Sequence, residues 1–336
     1  MATSGTVGAT SIGVVEIIEH AFRRCGKLAS TIPGELQLSA KENLFFLLSD
    51  LANRGTSLWC VEKRILGVIP SQTTFSLPVG TVDVRDAFYR TKTDLTGTTI
   101  SGSGYSGLDL GSGLDEAVYT VSIMFTASTT ATMVIESSPD NATWTQRAAF
   151  PAAQTVAAGT RICADVDNSI SARYWRVRDT SGTLPTVDTL TFSTTPVETP
   201  MTKSANNDFI RVPNKGFGTA TGTKALQYWY DKQTTPRIWV WPTTQGSVDQ
   251  IVLWTQRHIQ DVGALTNTLD IPQRWMESII LTLACRCALE LPAGELPPGR
   301  LEFLEGKAAE HLTRAEAGES DHSPIRLAIN IGAYSA

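Results

Sequence analysis

Charge is scarce in this sequence. Only 18% of its 336 residues are charged, and 28 Lys and Arg stand against 33 Asp and Glu, for a net charge of -5. That mildly acidic balance excludes a strongly basic protein that coats nucleic acid along its length, so any contact with DNA must be local. Cysteine is sparse too. Cys25, Cys60, Cys163, Cys285 and Cys287 show no CxxC spacing and cannot all pair within one chain, which points to a reducing compartment. Long apolar runs are missing. Ile12 to Ile18 is broken by Glu16 and has no basic region before it, which argues against a secretory signal. Ile279 to Leu291 carries Arg286 and Glu290, so no membrane span and no membrane partner are expected, and the protein reads as soluble and made inside a cell. The four histidines, His20, His258, His311 and His322, lie far apart and outside any metal-ligand spacing. With no Walker sequence and no nucleophile elbow either, the sequence offers no catalytic residue, cofactor site or metal ligand, and a non-enzymatic protein is expected.

What is present is enough apolar residue, 42%, to exclude wholesale disorder, and a length beyond what one core usually fills. Ile12, Val15, Ile18, Phe22 and Cys25 recur at helical steps and stop near Gly26. Ser39 to Glu42 has capping-box spacing, and Leu44, Phe45, Leu48, Leu51 and Ala52 form the next stripe. Thr74 to Arg90 alternates around Pro78-Val79-Gly80 and predicts a β-hairpin. After Lys92 the chain turns Thr-, Ser- and Gly-rich, with short alternating runs such as Tyr119 to Phe125 and Trp175 to Val177, the pattern of an antiparallel β-sandwich. Past Pro200 the earlier style returns, with strands around Tyr230, Ile238 and Ile251. Two longer helices then follow, one after Asp270-Ile271-Pro272 and one after Pro297-Pro298-Gly299. The expected fold is α+β: an α-helical bundle with a β-rich extension forms a host domain, split by an inserted antiparallel β-sandwich. The expected boundaries are 1–94 and 199–336 for the two host halves and 95–198 for the insertion.

Gly102 to Gly107 matches GxGxxG, but no helix follows to supply a phosphate-binding N-terminus, so a Gly/Ser loop is expected. Asp165-Val166-Asp167-Asn168 lacks the glycine and glutamate of a calcium loop and reads as a plain turn. Cys285 and Cys287, two apart on a helix, project to different faces and read as packing residues. Arg300, Lys307 and Arg314, with His311, share a stripe of the last helix that could face phosphates or an acidic partner, or be an ordinary solvated face held by Glu310. Arg173, Arg176 and Arg178 flank Trp175 and Val177 in a strand, which reads as an edge or an exposed sheet face made soluble by arginine. In the final stretch Ile325, Leu327, Ile329 and Ile331 alternate with Arg326, Ala328 and Asn330, placing an apolar edge where a neighbour's surface is needed.

Three segments carry a family resemblance: Val82-Asp83-Val84-Arg85-Asp86-Ala87-Phe88-Tyr89-Arg90, Tyr228-Trp229-Tyr230 with Trp239-Val240-Trp241-Pro242, and Leu269-Asp270-Ile271-Pro272-Gln273-Arg274-Trp275. Together they resemble the head-tail adaptor proteins of tailed bacteriophages. That resemblance implies a structural ring, usually of twelve subunits, beneath the portal protein at the head-tail junction of a virion assembled in the host cytoplasm. It implies tail or nozzle proteins and neighbouring copies as partners, and double-stranded DNA passing non-specifically through the lumen. It also implies portal docking by the C-terminal segment, with Ile325, Leu327, Ile329, Ile331 and Tyr334 as the docking residues. Within the insertion, Ser137 to Trp144 and Ala172 to Arg178 resemble the discoidin or galactose-binding-like β-sandwich, where such segments form core strands. Sugar-contacting loops are not assignable, so contact with another virion protein is the expectation for it. The alternative function is a carbohydrate-binding accessory or cell-wall-acting virion protein.

Overall fold

A computed structural model describes residues 12–28, 32–54, 58–151, 154–167, 170–212, 221–222, 224–244, 249–259, 262–292 and 294–319. The chain divides into two compact units, Met1–Val61 with Arg257–Ala336, and Glu62–Gln256.

The first unit holds the longer helices, α1 (Val14–Arg24), α2 (Gly34–Asn53), α4 (Gln273–Glu290) and α5 (Arg300–Glu319). The short α3 (Asn206–Arg211) belongs to the other unit. At the start of α1 the Glu16 carboxylate accepts the Gly13 N–H at 3.2 Å, satisfying one orphan donor. The buried face is Val14, Ile17, Ile18, Ala21 and Phe22; of the expected stripe Ile18, Phe22 and Cys25 are buried and Val15 is only half-buried, and Gly26 ends the turn at φ +92°. Helix α2 begins after Pro33, ahead of the Ser39 signal; Ser39 and Asn43 lie within it and donate their side chains to Glu290 of α4 at 2.5 Å each. Phe45, placed on the inner stripe by spacing, is exposed, and Leu47 takes the inner position. Trp275 is fully buried against Trp59, with ring centroids 5.1 Å apart, and its indole N–H donates to Glu319.

The second unit is built from strands. In chain order its first seven are β1 (Val61–Gly67), β2 (Thr74–Ser76), β3 (Thr81–Asp94), β4 (Thr98–Gly102), β5 (Tyr105–Asp109), β6 (Thr120–Phe125) and β7 (Thr129–Ala131). There follow β8 (Met133–Ser138), β9 (Thr145–Ala149), β10 (Gln154–Val156), β11 (Arg161–Asp165), β12 (Tyr174–Asp179) and β13 (Val187–Pro200). The last six are β14 (Thr202–Lys203), β15 (Thr221–Gly222), β16 (Gln227–Asp231), β17 (Arg237–Trp241), β18 (Thr243–Thr244) and β19 (Gln250–Arg257). A closed barrel runs β1-β11-β6-β13-β3-β19, beside a five-stranded sheet β4-β5-β12-β8-β9 and a four-stranded sheet β14-β16-β17-β2. One core lies between the barrel and the five-stranded sheet, where Val121, Ile123, Phe125 and Phe192 meet Ile135, Trp175 and Val177. Another joins Val84, Tyr89, Ile251 and Leu253 to Tyr228, Tyr230, Ile238 and Val240 of the four-stranded sheet. Inside the barrel Arg90, nearly inaccessible, donates to Asp165, Glu198 and Gln250.

The expected fold class is therefore corrected: the chain is mainly β, and no helical bundle with a β extension hosts a separate sandwich. The physical reason is strand pairing. β6, β11 and β13, all from the expected insertion, close a barrel with β1, β3 and β19 from either side of it. Long β3 and β13 pair from Phe88 to Asp94, welding the segments together. The expected hairpin is corrected too, since β2 pairs with β17, Phe75 opposite Ile238, where Phe75 and Leu77 reach an apolar core.

Candidate functional site

The outer face of the five-stranded sheet collects the side chains best placed for recognition. Alternation along β12 sends Trp175 and Val177 inward, fully buried, and Arg176 and Arg178 outward. Register does the rest. Glu136 of β8 lies opposite Arg176, and Gly107 of β5 lies opposite it on the other side. The Glu136 carboxylate accepts from Arg176 Nε at 2.7 Å and from Arg178 Nε and Nη2 at 3.0 and 2.8 Å. Burial raises the Glu136 carboxyl, but donation from Arg178 and Arg176 outweighs it and holds the group below its ordinary value.

The Arg176 guanidinium is stacked between two rings, 3.9 Å from the centroid of Trp144 and 4.9 Å from that of Tyr105, both half-buried. Trp144 reaches this position from a turn pinned by Asp140, whose carboxylate accepts the N–H groups of Thr143 and Ala142 and the Ser138 hydroxyl. Those bonds, the backbone donors of Thr143 and Ala142 first, hold the Asp140 carboxyl at about 2. Gly107 is required here: a Cβ would come within 2.2 Å of the Trp175 carbonyl oxygen and 2.7 Å of Arg176 Cβ. At the other end of the face Arg173 lies 4.7 Å from the Tyr174 ring and forms a two-pronged pair with Asp109 at 2.7 and 3.0 Å. Rings with an apolar body, set beside guanidiniums and a carboxylate on a rigid sheet, can hold a flat polar molecule that shows both C–H and hydroxyl groups.

Other features of the two units do less. A cleft of about 600 Å³ is lined by Ile65, Leu66, Met133, Phe150 and Ile162, but its Lys63 and Asp165 answer each other at 2.5 Å. Burial raises the Asp165 carboxyl, and hydrogen bonds from Arg90 and Lys63 bring it below its ordinary value, so this aspartate serves as an ion-pair partner inside the barrel. Near the four-stranded sheet Trp229 lies beside Phe209 and Trp239, with ring centroids 5.9 and 6.2 Å away.

Among the residues singled out from sequence, Arg300 donates Nε to the Arg24 carbonyl at 2.8 Å and lies over Phe303. Lys307 and Arg314 both pair with Glu310, Lys307 at 2.8 Å. The tail residues Ile325, Leu327, Ile329, Ile331 and Tyr334 lie outside the described residues. The GxGxxG segment is the tight β4–β5 hairpin, with Gly102 opposite Tyr105. No disulfide joins the cysteines among the described residues, and no cluster among those residues has the donors for a metal. Tyr105 and Glu136 were not legible as site residues, because only register brings them to Arg176. Trp144, expected as a core residue, is half-exposed.

No family model matches this chain, and no curated protein matches it. Solved structures do. The CBM62 module of Xyl5A from Clostridium thermocellum is 19% identical, covering 31% of this chain and 98% of that one at a TM-score of 0.25. The CBM32 module of AlyQ in complex with 4,5-unsaturated mannuronic acid is 18% identical, covering 33% and 96% at 0.22. CBM32-1 from a family 31 glycoside hydrolase of Clostridium perfringens is 11% identical, covering 37% and 96% at 0.22. Where head-tail adaptors were expected, these similar structures are carbohydrate-binding modules. The adaptor resemblance is therefore corrected, and with it the bacteriophage, virion, connector and portal assignments. The segments Val82 to Arg90 and Tyr228 to Trp241 that carried it are strands of the same β unit as the expected insertion.

Proposed function

We propose that this protein is a non-enzymatic carbohydrate-binding protein whose site is the outer face of the five-stranded sheet. The observation that carries the reading is the stack of Trp144, Arg176 and Tyr105, fixed from below by Glu136. A sugar ring presents C–H patches and hydroxyl groups on one small surface. Two aromatic bodies meet the first need, and guanidinium N–H groups meet the second in a fixed fork. The arrangement is paid for before binding, since the arginines and the Trp144 turn are already held in place, so little ordering cost remains. This reading rests on that arrangement and not on the likenesses above.

Calorimetric titration of the full chain with neutral and acidic oligosaccharides tests it. At least one class should bind, and Trp144→Ala should weaken that binding about tenfold by removing an aromatic contact of about 1 kcal/mol together with its buried area. Absence of binding across both classes, or full affinity in a folded Trp144→Ala protein, would sink the proposal.

A further inference from the structure

We infer that the saccharide taken by this face is an acidic one, bearing a carboxylate or a sulfate ester. This deepens the carbohydrate-binding reading and depends on it.

The argument is a count of donors on two guanidiniums. Glu136 engages Nε of Arg176, and Nε and Nη2 of Arg178. No partner stands on Nη1 or Nη2 of Arg176 or on Nη1 of Arg178 among the hydrogen bonds of the described residues. A guanidinium offers five N–H donors and no acceptor, so these ends can be satisfied only by something that accepts. Charge points the same way. One carboxylate answers two guanidiniums, leaving a local surplus of one positive charge on a chain whose net charge is -5. Glu136 cannot relieve it, because its side chain is 6% exposed and already accepts from both arginines. Arg173, at the other end of the face, is matched by Asp109 and adds no surplus.

Access is graded usefully. The Arg178 side chain is 37% exposed while that of Arg176 is 15% exposed and clamped between Trp144 and Tyr105. An anion would therefore meet Arg178 first and the outer edge of Arg176 second, with the sugar ring lying toward Trp144. Charge-assisted bonds to a planar fork favour a carboxylate or sulfate over a hydroxyl. A neutral sugar would leave the surplus donors to water.

The experiment compares three hexasaccharide probes on the full chain by calorimetry: an oligouronate, a sulfated oligosaccharide and an unsubstituted neutral one. The acidic probes should bind at least tenfold tighter than the neutral probe. That preference should shrink as salt rises. Arg178→Gln should cost the acidic probes roughly tenfold to a hundredfold, as expected for a hydrogen bond to a charged group, and so narrow the gap between acidic and neutral probes. Preference for the uronate over the sulfate, or the reverse, identifies which anion the fork fits and supports the inference either way. If the neutral probe binds as tightly as the acidic ones, the inference fails while the carbohydrate reading stands. If no probe binds, both fail. Should Arg178→Gln not fold, the salt dependence and the probe ranking of the unaltered protein decide alone.

Discussion

Replacing Glu136 with glutamine would remove one charge from the middle of the outer sheet face and keep the side chain's size. The native carboxylate is 6% exposed and is held by Arg176 at 2.7 Å and by Arg178 at 2.8 Å. Glutamine leaves two guanidiniums side by side with no counter-charge. Removing one partner of a buried ion pair costs about 3–5 kcal/mol. Because Arg178 is 37% exposed and solvent screens its share, about 2–4 kcal/mol is expected here. For a unit of this size, that lowers the melting temperature by roughly 5–12 °C. The effect carries a pH signature. Burial raises the Glu136 carboxyl and the two arginines more than reverse it, so its folded value lies below the ordinary 4.5. In acid the unfolded chain then takes up this proton before the folded chain does. The stabilisation is complete above the ordinary value and is lost as pH falls below 4.5 through the folded value. Differential scanning calorimetry of both proteins from neutral pH downward measures it. The gap should be widest at neutral pH and narrow in acid. Melting temperatures within about 1 °C of each other at neutral pH would refute the reasoning, as would a gap that does not narrow in acid.

Other substitutions probe the surrounding fold. Gly107→Ala should destabilise the β unit by about 1–3 kcal/mol in urea titration, because the new methyl meets the Trp175 carbonyl, which is backbone and cannot swing away. Trp175→Ala, emptying the core between barrel and sheet, should cost about 3–5 kcal/mol by the same assay. Glu310→Gln on α5 should leave the urea midpoint essentially unchanged, since its partners Lys307 and Arg314 are exposed and solvent screens both pairs. The thiols of Cys25 and Cys287, pushed up to about 11 and about 12 chiefly by burial, should resist alkylation in the native protein near neutral pH and react on unfolding.

Local patterns in the sequence were readable where one side chain period decides the outcome. The alternation of Trp175, Arg176, Val177 and Arg178 specifies an inward and an outward face, and the structure has both. The stripe ending at Cys25 specifies a helix, and Ile18, Phe22 and Cys25 lie in its core as the spacing demands, while Val14 and Ile17 rather than Val15 complete the buried face. Pairing partners were not readable, since short Thr- and Ser-rich strands carry little to distinguish one neighbour from another. That is why alternation alone joins the Phe75 strand to β3 when it pairs with β17, and why composition divides the barrel strands between a host and an insertion. The candidate site failed to show for the same reason. Arg176 is adjacent to Glu136, Tyr105 and Trp144 only after β12 has been laid between β5 and β8.

The central claim, that the Trp144 face binds saccharide, is tested most directly by following the tryptophan indole N–H resonances of the full chain during titration with an acidic oligosaccharide. The sequence has eight tryptophans. The Trp144 resonance, assigned by its loss in Trp144→Phe, should move progressively and saturate, while those of the buried Trp175 and Trp275 stay in place. Movement confined to Trp229 and Trp239 on the four-stranded sheet, or no movement at any indole, would contradict the account.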